Sequence, residues 1–519
     1  AAKAGDVFYA SLKSAAEAMK NGDTLTLLKN YEGADTISIN AYGTTVDLNG
    51  CSIKNTAGKA ALEIYPKYSV KPTDNDLSTT ISNSKSNQSA IAGTPALFVE
   101  TGNSTYVIDL QITGAVLLEA EGENVQTISL GNARLKYSED AAKAVSNGGF
   151  KAETEEGFYI YGSAYDAVKY DKNHTAVLLN PYKGNDKLAS SDKTAVIDLN
   201  GYTFESSALN IISPNAENIS MTIKNGTVHS TILGDENSSV SGACVMYDGV
   251  TLNLDQVNII MDSDNVAVVT IGTNKGITIS MTGGSLQTKN TTALYFPSPD
   301  SSLTIDGTKI TSEGTGVAVK GGTVVIKGDT IIRAAGEKKA PAENNSGSTE
   351  TGDAVYLEGN YGFDMSVSIE AGKFFSENGY AVQGAFLKDN QQLSITGGYF
   401  NTDPVNFVDS GYSVLPGDIS GYDYMVVQNI NLSGTDIVPD VADPEVDDNA
   451  LDADMTENEI TDLKNAAKTA KLSGMNAVVQ NMAEDITETD VALAKEKLIE
   501  SVASAGDKTV TLYVQTYLY

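Results

Sequence analysis

Tryptophan is absent from this 519-residue chain, and cysteine, histidine and arginine occur twice each. Cys51 and Cys244 stand far apart, so no disulfide scaffold is being built, and both read as thiols buried as small hydrophobes. Two histidines, His174 and His229, leave no His/Cys cluster with zinc spacing. His174 sits in a Lys/Asn turn and His229 follows a bend in an alternating segment, so each reads as an ordinary exposed or half-buried side chain. The arginines, Arg134 and Arg333, belong to only 35 basic residues against 67 acidic ones, a formal net charge of −32. Nucleic acid would be repelled, because binding it requires clustered Lys and Arg that release counterions. No run approaches the roughly 20 apolar residues that span a membrane. Neither a Gly-x-Ser-x-Gly nor a Walker pattern occurs, and no Asp-x-Asp-x-Asp-Gly calcium loop is found among the many acids.

What is present is apolar residues (41%) and 47 glycines, the balance of an ordered, turn-rich protein. One short pattern recurs: alternating apolar residues, a Gly or Asn bend, then another apolar residue. It reads Met221-Thr222-Ile223-Lys224-Asn225-Gly226-Thr227-Val228, and returns as Ile279 to Leu286, Leu303 to Ile310, Val324 to Ile331, Val367 to Phe374 and Leu393 to Phe400. The central apolar positions are 199, 223, 254, 281, 305, 326, 369 and 395, with steps of 24, 31, 27, 24, 21, 43 and 26. The longest step contains 335–353, an Ala/Glu/Lys/Asn/Ser/Gly run without apolar periodicity, and removing its 19 residues restores 43 − 19 = 24.

A period near 24 residues marks a solenoid. Three strands of about four or five residues and three turns of about three fill such a coil. Gly316–Val319, Ala354–Leu357 and Tyr380–Val382 supply the further short strands. Alternation then turns Leu303, Ile305, Val317, Val319, Val324, Ile326, Leu393 and Ile395 inward. A propeller blade would need about 40–50 residues.

A longer repeat spans 150 to 151 residues. Phe8-Tyr9, a helix-like stretch from Leu12 to Met19, the strand Thr24 to Leu28 and Val46-Asp47-Leu48-Asn49-Gly50 recur in the same order. Their counterparts are Phe158-Tyr159, Ser163 to Val168, Thr175 to Leu179 and Ile197-Asp198-Leu199-Asn200-Gly201. A module has been duplicated. Leu12, Ala15, Ala16 and Met19, at helical spacing, suit a helix that covers the apolar end of the first coil. Ser78–Asn83 and Val107–Leu110 are expected strands of the first module, and Gly148-Gly149-Phe150 its closing turn. The expected division is a first β module over 1–153, a main one over 154–434, an acidic linker over 435–455 and a partial α+β domain over 456–519. Between Asp436 and Glu459 there are ten acidic residues and no basic one, the mark of a solvated linker. Thr456 to Glu459 forms a capping box for a helix, Thr487 to Asp490 opens a second, and Val510, Leu512 and Val514 read as a strand. That strand leads us to expect further protein after Tyr519, and a leader, if there was one, to have been removed before Ala1.

The segment Tyr9-Ala10-Ser11-Leu12 with Gly22 to Leu28, the strands Val46–Gly50 and Ile197–Phe204, and the closing run Ile395 to Val414 resemble large cell-surface proteins of Gram-positive, largely gut-dwelling bacteria. The resemblance covers about residues 1–430. It implies a right-handed parallel β-helix of the pectin-lyase-like kind that has lost catalysis. It also implies export to the cell wall or cell surface and a role as an adhesin or in carbohydrate binding, with cell-wall, host or dietary polysaccharide or a surface protein as partner. No wall-anchoring motif accompanies it. Asn401-Thr402-Asp403 matches a first short signature of polygalacturonases, but their Gly-His-Gly and Arg-Ile-Lys are missing, so a turn closing the last coil is expected. The sequence nominates no catalytic residue, no metal ligands and no cofactor, and leaves the binding residues unassigned. Tyr295, Tyr356 and Tyr399 are aromatics that stack either on sugars or within the coil. The favoured expectation is a non-catalytic surface protein; the alternative is a divergent polysaccharide lyase or glycoside hydrolase. A flank of converging carboxylates would favour the enzyme, and a flank of Thr, Ser, Asn and Lys the binder.

Overall fold

The computed structural model describes residues 1–66, 77–100, 106–120, 127–232, 241–430, 477–480 and 512–515. Strand accounts for 49% and helix for 6%. Among the described residues between 220 and 400, strands pair with one another in parallel, the arrangement of a β-solenoid.

The second module makes the logic plain. Thr194–Asp198, Ser220–Ser230, Thr251–Met261, Thr278–Thr282, Ser302–Asp306, Gly322–Lys327, Met365–Ile369 and Gln391–Ile395 stack as one sheet. A second position runs from Tyr182–Gly184 through Thr203–Ser206, Ser285–Thr288, Lys309–Ser312, Ile331–Ala334 and Lys373–Ser376 to Gly398–Phe400, with the far halves of Ser220–Ser230 and Thr251–Met261 between. A third, separate sheet holds Leu188–Ser190, Ile212–Pro214, Ser241–Val245, Val266–Thr270, Leu294–Phe296, Val317–Val319, Val355–Glu358 and Val382–Ala385. Each coil therefore contributes three strands, as its length requires.

The register tests the periodic positions one by one. Ile223, Leu254, Met281, Ile305, Ile326, Ile369 and Ile395 are direct neighbours from coil to coil. The residue that precedes Ile223 in that column is Ile197, not Leu199, and Ala176 of the strand Thr175–Leu178 precedes Ile197 in turn. Leu199 is also buried but lies past the strand end, where its N–H donates to the Lys224 carbonyl. Leu303, Ile305, Val317, Val319, Val324, Ile326 and Ile395 are all buried. Leu393 is only half-buried because it lies in the last strand of its sheet. Between the first and second strand of six successive coils the chain turns through a left-handed residue: Asn200, Asn225, Gln256, Gly283, Gly307 and Gly328. That conformation costs glycine nothing and asparagine little, which is why five of these six bends are Gly or Asn, with Gln256 the exception.

In the first module Thr24–Leu27, Thr45–Asp47, Ser78–Ser82, Ile108–Thr113 and Ala133–Lys136 stack in parallel. Two four-stranded parallel sheets complete its coils. Each module opens alike, with an antiparallel hairpin, a short helix and the first coil strand. In the first these are Ala2–Ala4 with Val7–Tyr9, then Leu12–Glu17. In the second they are Phe150–Thr154 with Gly157–Tyr161, then Ala164–Tyr170. Leu12, Ala15 and Ala16 are buried, as a covering helix demands.

Two expectations shift. Gly148-Gly149-Phe150 opens the second module's hairpin instead of closing the first module, whose last coil strand is Ala133–Lys136. The hairpin strand Phe150–Thr154 consequently runs through the expected 153/154 boundary. The pairing register also matches Val7-Phe8-Tyr9 to Tyr159-Ile160-Tyr161, because Ala4↔Val7 and Ala2↔Tyr9 correspond to Ala152↔Tyr159 and Phe150↔Tyr161. The apparent Phe-Tyr repeat is thus displaced by two residues, the second hairpin being longer at its turn.

After Phe400 the hairpin Tyr412–Ile419 with Tyr422–Ile430 packs antiparallel on Gly398–Phe400. Strands Ala477–Gln480 and Leu512–Gln515 follow in parallel, the second containing the expected Leu512 and Val514. The expected acidic linker and both C-terminal helices lie outside the described residues. Among the described residues no helix is long and apolar enough to cross a membrane.

Candidate functional site

The aperiodic run 335–353 decides where the molecule has a site. In the strand Val355–Glu358, Val355 and Leu357 join the core while Tyr356 and Glu358 occupy the opposite face. That face should be exposed, yet both residues are fully buried. The run lies over it. Glu358 accepts from the Asn344 backbone N–H at 2.9 Å and from the Thr349 hydroxyl. Lys320, one coil earlier in the same sheet, donates to the Asn344 carbonyl at 2.7 Å and pairs with Glu358 at 3.2 Å. Glu350 fastens the far end of the run, accepting from the Thr292 N–H and hydroxyl, both at 2.8 Å, and from the Thr315 N–H at 3.2 Å. Burial pulls the Lys320 ammonium below its ordinary range, and the adjacent carboxylate opposes that shift.

Beside this buried pair opens a cavity of ≈ 570 Å³, within the range of small-ligand pockets. It is lined by Tyr295, Tyr361 and Phe363 together with polar residues such as Thr270, Thr273, Asn345, Ser346 and Asn360. Tyr361 and Phe363 meet edge to face with centroids 5.7 Å apart, and the Tyr295 and Tyr361 hydroxyls lie 3.2 Å apart. Lys320 Nζ stands 4.7 Å from the Tyr361 ring centroid, so the cation beneath the site also fixes its aromatic wall. Burial first, then the neighbouring Tyr361 hydroxyl, raises the Tyr295 phenol, so it acts as a neutral hydrogen-bonding group. Asn360 donates through Nδ2 to the Asn344 carbonyl and to Asn345 Oδ1, while its buried Oδ1 has no partner. No carboxylate lines this cavity.

A second groove of ≈ 490 Å³ lies along neighbouring coils. It is lined by hydroxyls and amides such as Thr278, Ser302, Thr323, Ser366, Asn390 and Gln392, together with Asp300 and Asp364. Asp364 accepts from Asn390 Nδ2 at 2.6 Å.

Of the three tyrosines named from sequence, only Tyr295 reaches the cavity. Tyr356 lies buried beneath the inserted run, and Tyr399 is half-buried against Leu415, Met425 and Val427. Asn401-Thr402-Asp403 forms a turn. Asn401 exchanges hydrogen bonds with the Ser376 backbone, Thr402 accepts from the Ala381 N–H, and Asp403 accepts from the Val405 N–H. His174 has positive φ in its turn. His229 belongs to a surface row, with Nε2 at 2.8 Å from Asp262 and Nδ1 at 3.9 Å from Glu205, which in turn meets Lys183. Cys244 is buried and Cys51 half-buried, both as free thiols. Among the described residues no group of three or more His, Cys, Asp or Glu is placed to hold a metal ion.

Tyr361, Phe363, Asn360 and Asn345 were missed because they lie in turns, outside the periodic pattern. The one available signal was the 43-residue step, since a long insertion in a regular solenoid is a place where function concentrates. Comparison of the chain with protein-family models, with curated proteins and with solved structures returns no match.

Proposed function

We propose that this chain is a non-catalytic, secreted or cell-surface protein whose coils close into a right-handed parallel β-helix and whose inserted run builds a carbohydrate-contacting pocket. The observation that carries the reading is the cavity beside Lys320 and Glu358. The half-buried rings of Tyr361 and Phe363 are available to a sugar ring, with the buried Tyr295 beside them and amides and hydroxyls in the same lining. Asn360 and Asn345 add amide groups to the lining. The nearest carboxylate, Glu358, is already held by Lys320, Asn344 and Thr349, so it is not free to act as an acid or base. Polysaccharide from cell wall, host or diet is the ligand class, in keeping with the resemblance to surface β-helix proteins; no cofactor is required.

The test is a glycan array combined with a reducing-end assay on the same sample. Binding without release of reducing ends or unsaturated products is expected. Tyr361→Ala should weaken binding by roughly 1 kcal/mol or more, a factor of five to ten. Binding unaffected by Tyr361→Ala and Asn360→Ala would remove the pocket from the proposal. The alternative, a divergent lyase or glycoside hydrolase, draws on Asp300 and Asp364 in the neighbouring groove, because glycan cleavage runs on paired carboxylates. Product release abolished by Asp364→Asn at unchanged melting temperature would establish it.

A further inference from the structure

The junction between the two modules shows what the N-terminal face is built to accept. At that junction Gly157–Tyr161 pairs on one side with its own hairpin partner and on the other, antiparallel, with Ala133–Lys136, the closing strand of the first module. The register is Arg134↔Tyr161, Leu135↔Ile160 and Lys136↔Tyr159. Ile160, at 0% exposure, belongs to the first module's core, while Tyr159 and Tyr161 belong to the second's. One strand thus seals the core behind it and completes the core ahead of it. Around it, Arg134 sits 4.3 Å from the Tyr159 ring centroid, and Lys151 lies 4.1 Å from the ring of Tyr137, just past the closing strand.

The first module carries the same device with its outer side empty. Val7–Tyr9 pairs with Ala2–Ala4 and, in the described structure, with nothing beyond. Its residues correspond to Tyr159, Ile160 and Tyr161. Phe8, in the place of the sealed Ile160, is 70% exposed, and Val7 is 56% exposed. Tyr9 packs against the module's own core, as Tyr161 does in its turn. Lys3 corresponds to Lys151. An apolar side chain on an open strand edge is what edge strands ordinarily avoid.

We propose that the edge Val7–Tyr9 is a stacking socket for the closing coil of a further solenoid module of the same build. That coil would add antiparallel to the edge and bury Phe8 in the end of its own core. The occupant is specified by the internal junction: an antiparallel strand edge, an apolar core end opposite Phe8, a basic residue opposite Tyr9 in the place of Arg134, and an aromatic within reach of Lys3. This rests on the module duplication and not on the carbohydrate reading, so either can fail alone.

The experiment fuses a copy of residues 1–148 directly ahead of Ala1 of the full chain. That spacing reproduces the natural junction, since Ala1 then stands where Gly149 does. In a background of Cys51→Ser and Cys244→Ala, Phe8→Cys is placed in both the parent chain and, at the internal junction only, the fused chain. Fast maleimide labelling is expected in the parent and labelling at least tenfold slower in the fusion, with the Val7–Tyr9 amides gaining hydrogen-exchange protection. Equal labelling overturns the proposal, whether the added module folds apart or fails to fold against this edge. Labelling in the parent that slows with protein concentration overturns it as well, because the occupant would then be a second copy.

Discussion

Asp353 lies in the turn before the strand Val355–Glu358, fully buried, with Oδ1 accepting from the Tyr380 N–H and Oδ2 without a partner. Burial pushes its carboxyl up to about 6. A folded pKa above the unfolded value means the native state holds the proton more tightly. The group's stabilising contribution is therefore full below about pH 4 and lost as pH rises through about 6, an effect of up to about 3 kcal/mol. Asp353→Asn keeps the acceptor and removes the titration. The variant's stability relative to the parent should be greater at pH 7 than at pH 4, measured by denaturant unfolding at both values. A difference independent of pH would show that folding does not raise the Asp353 pKa. Lys320 and Glu358 pose the complementary case, an ion pair buried on both sides. Glu358→Gln strands an ammonium and should cost about 3–5 kcal/mol, whereas replacing both partners with apolar residues should cost much less. A double-mutant cycle read by melting curves separates the two.

Strands and turns carry different duties here. The strands hold the solenoid through columns of apolar residues, and Ile305 sits mid-column between Met281 and Ile326. Ile305→Asp should lower stability by at least about 3 kcal/mol, because a charge would enter a stacked core with no partner. A variant that melts with the parent would contradict the column. The turns hold the functional chemistry. The inserted run 335–353 costs little as a loop, since closure entropy grows only slowly with length. It is tied down by Glu350, Asn344 and Thr349 at points where a plain coil would turn directly. Shortening it to a regular corner should leave the parallel sheets intact while abolishing glycan binding, provided Glu358 and Lys320 are replaced together.

At the scale of the whole molecule, the two modules share one strand. Ile160 is encoded in the second module's hairpin and buried in the first module's core. The modules should therefore unfold together, and Ile160→Ser should split a single calorimetric transition into two. Two transitions already present in the parent would show that the shared strand does not couple them. The charge of −32 acts on the same scale. Self-repulsion should make moderate salt raise the melting temperature, and the dependence should weaken as pH falls toward the carboxylate range.

Periodicity alone determined the solenoid. Alternating apolar residues at steps near 24 can be buried together only by stacking coils, and left-handed bends at Asn225, Gly283, Gly307 and Gly328 mark one corner in each. The excess of acidic over basic residues is likewise legible in the sequence alone. The ends of the pattern were less legible. Leu199 and Ile197 are both apolar and both buried, so only hydrogen-bond register told which of them stands in the column beside Ile223. Phe8-Tyr9 and Phe158-Tyr159 match as letters, whereas strand pairing aligns Phe8 with Ile160, because a longer hairpin turn shifts the register without altering composition. The pocket was decided by tertiary structure altogether. Tyr295 comes from one coil, Asn360, Tyr361 and Phe363 from a turn two coils on, and Asn345 from an aperiodic run. Nothing in their linear spacing encodes that meeting, since it depends on a buried Lys320–Glu358 pair that folds the run back onto the third sheet.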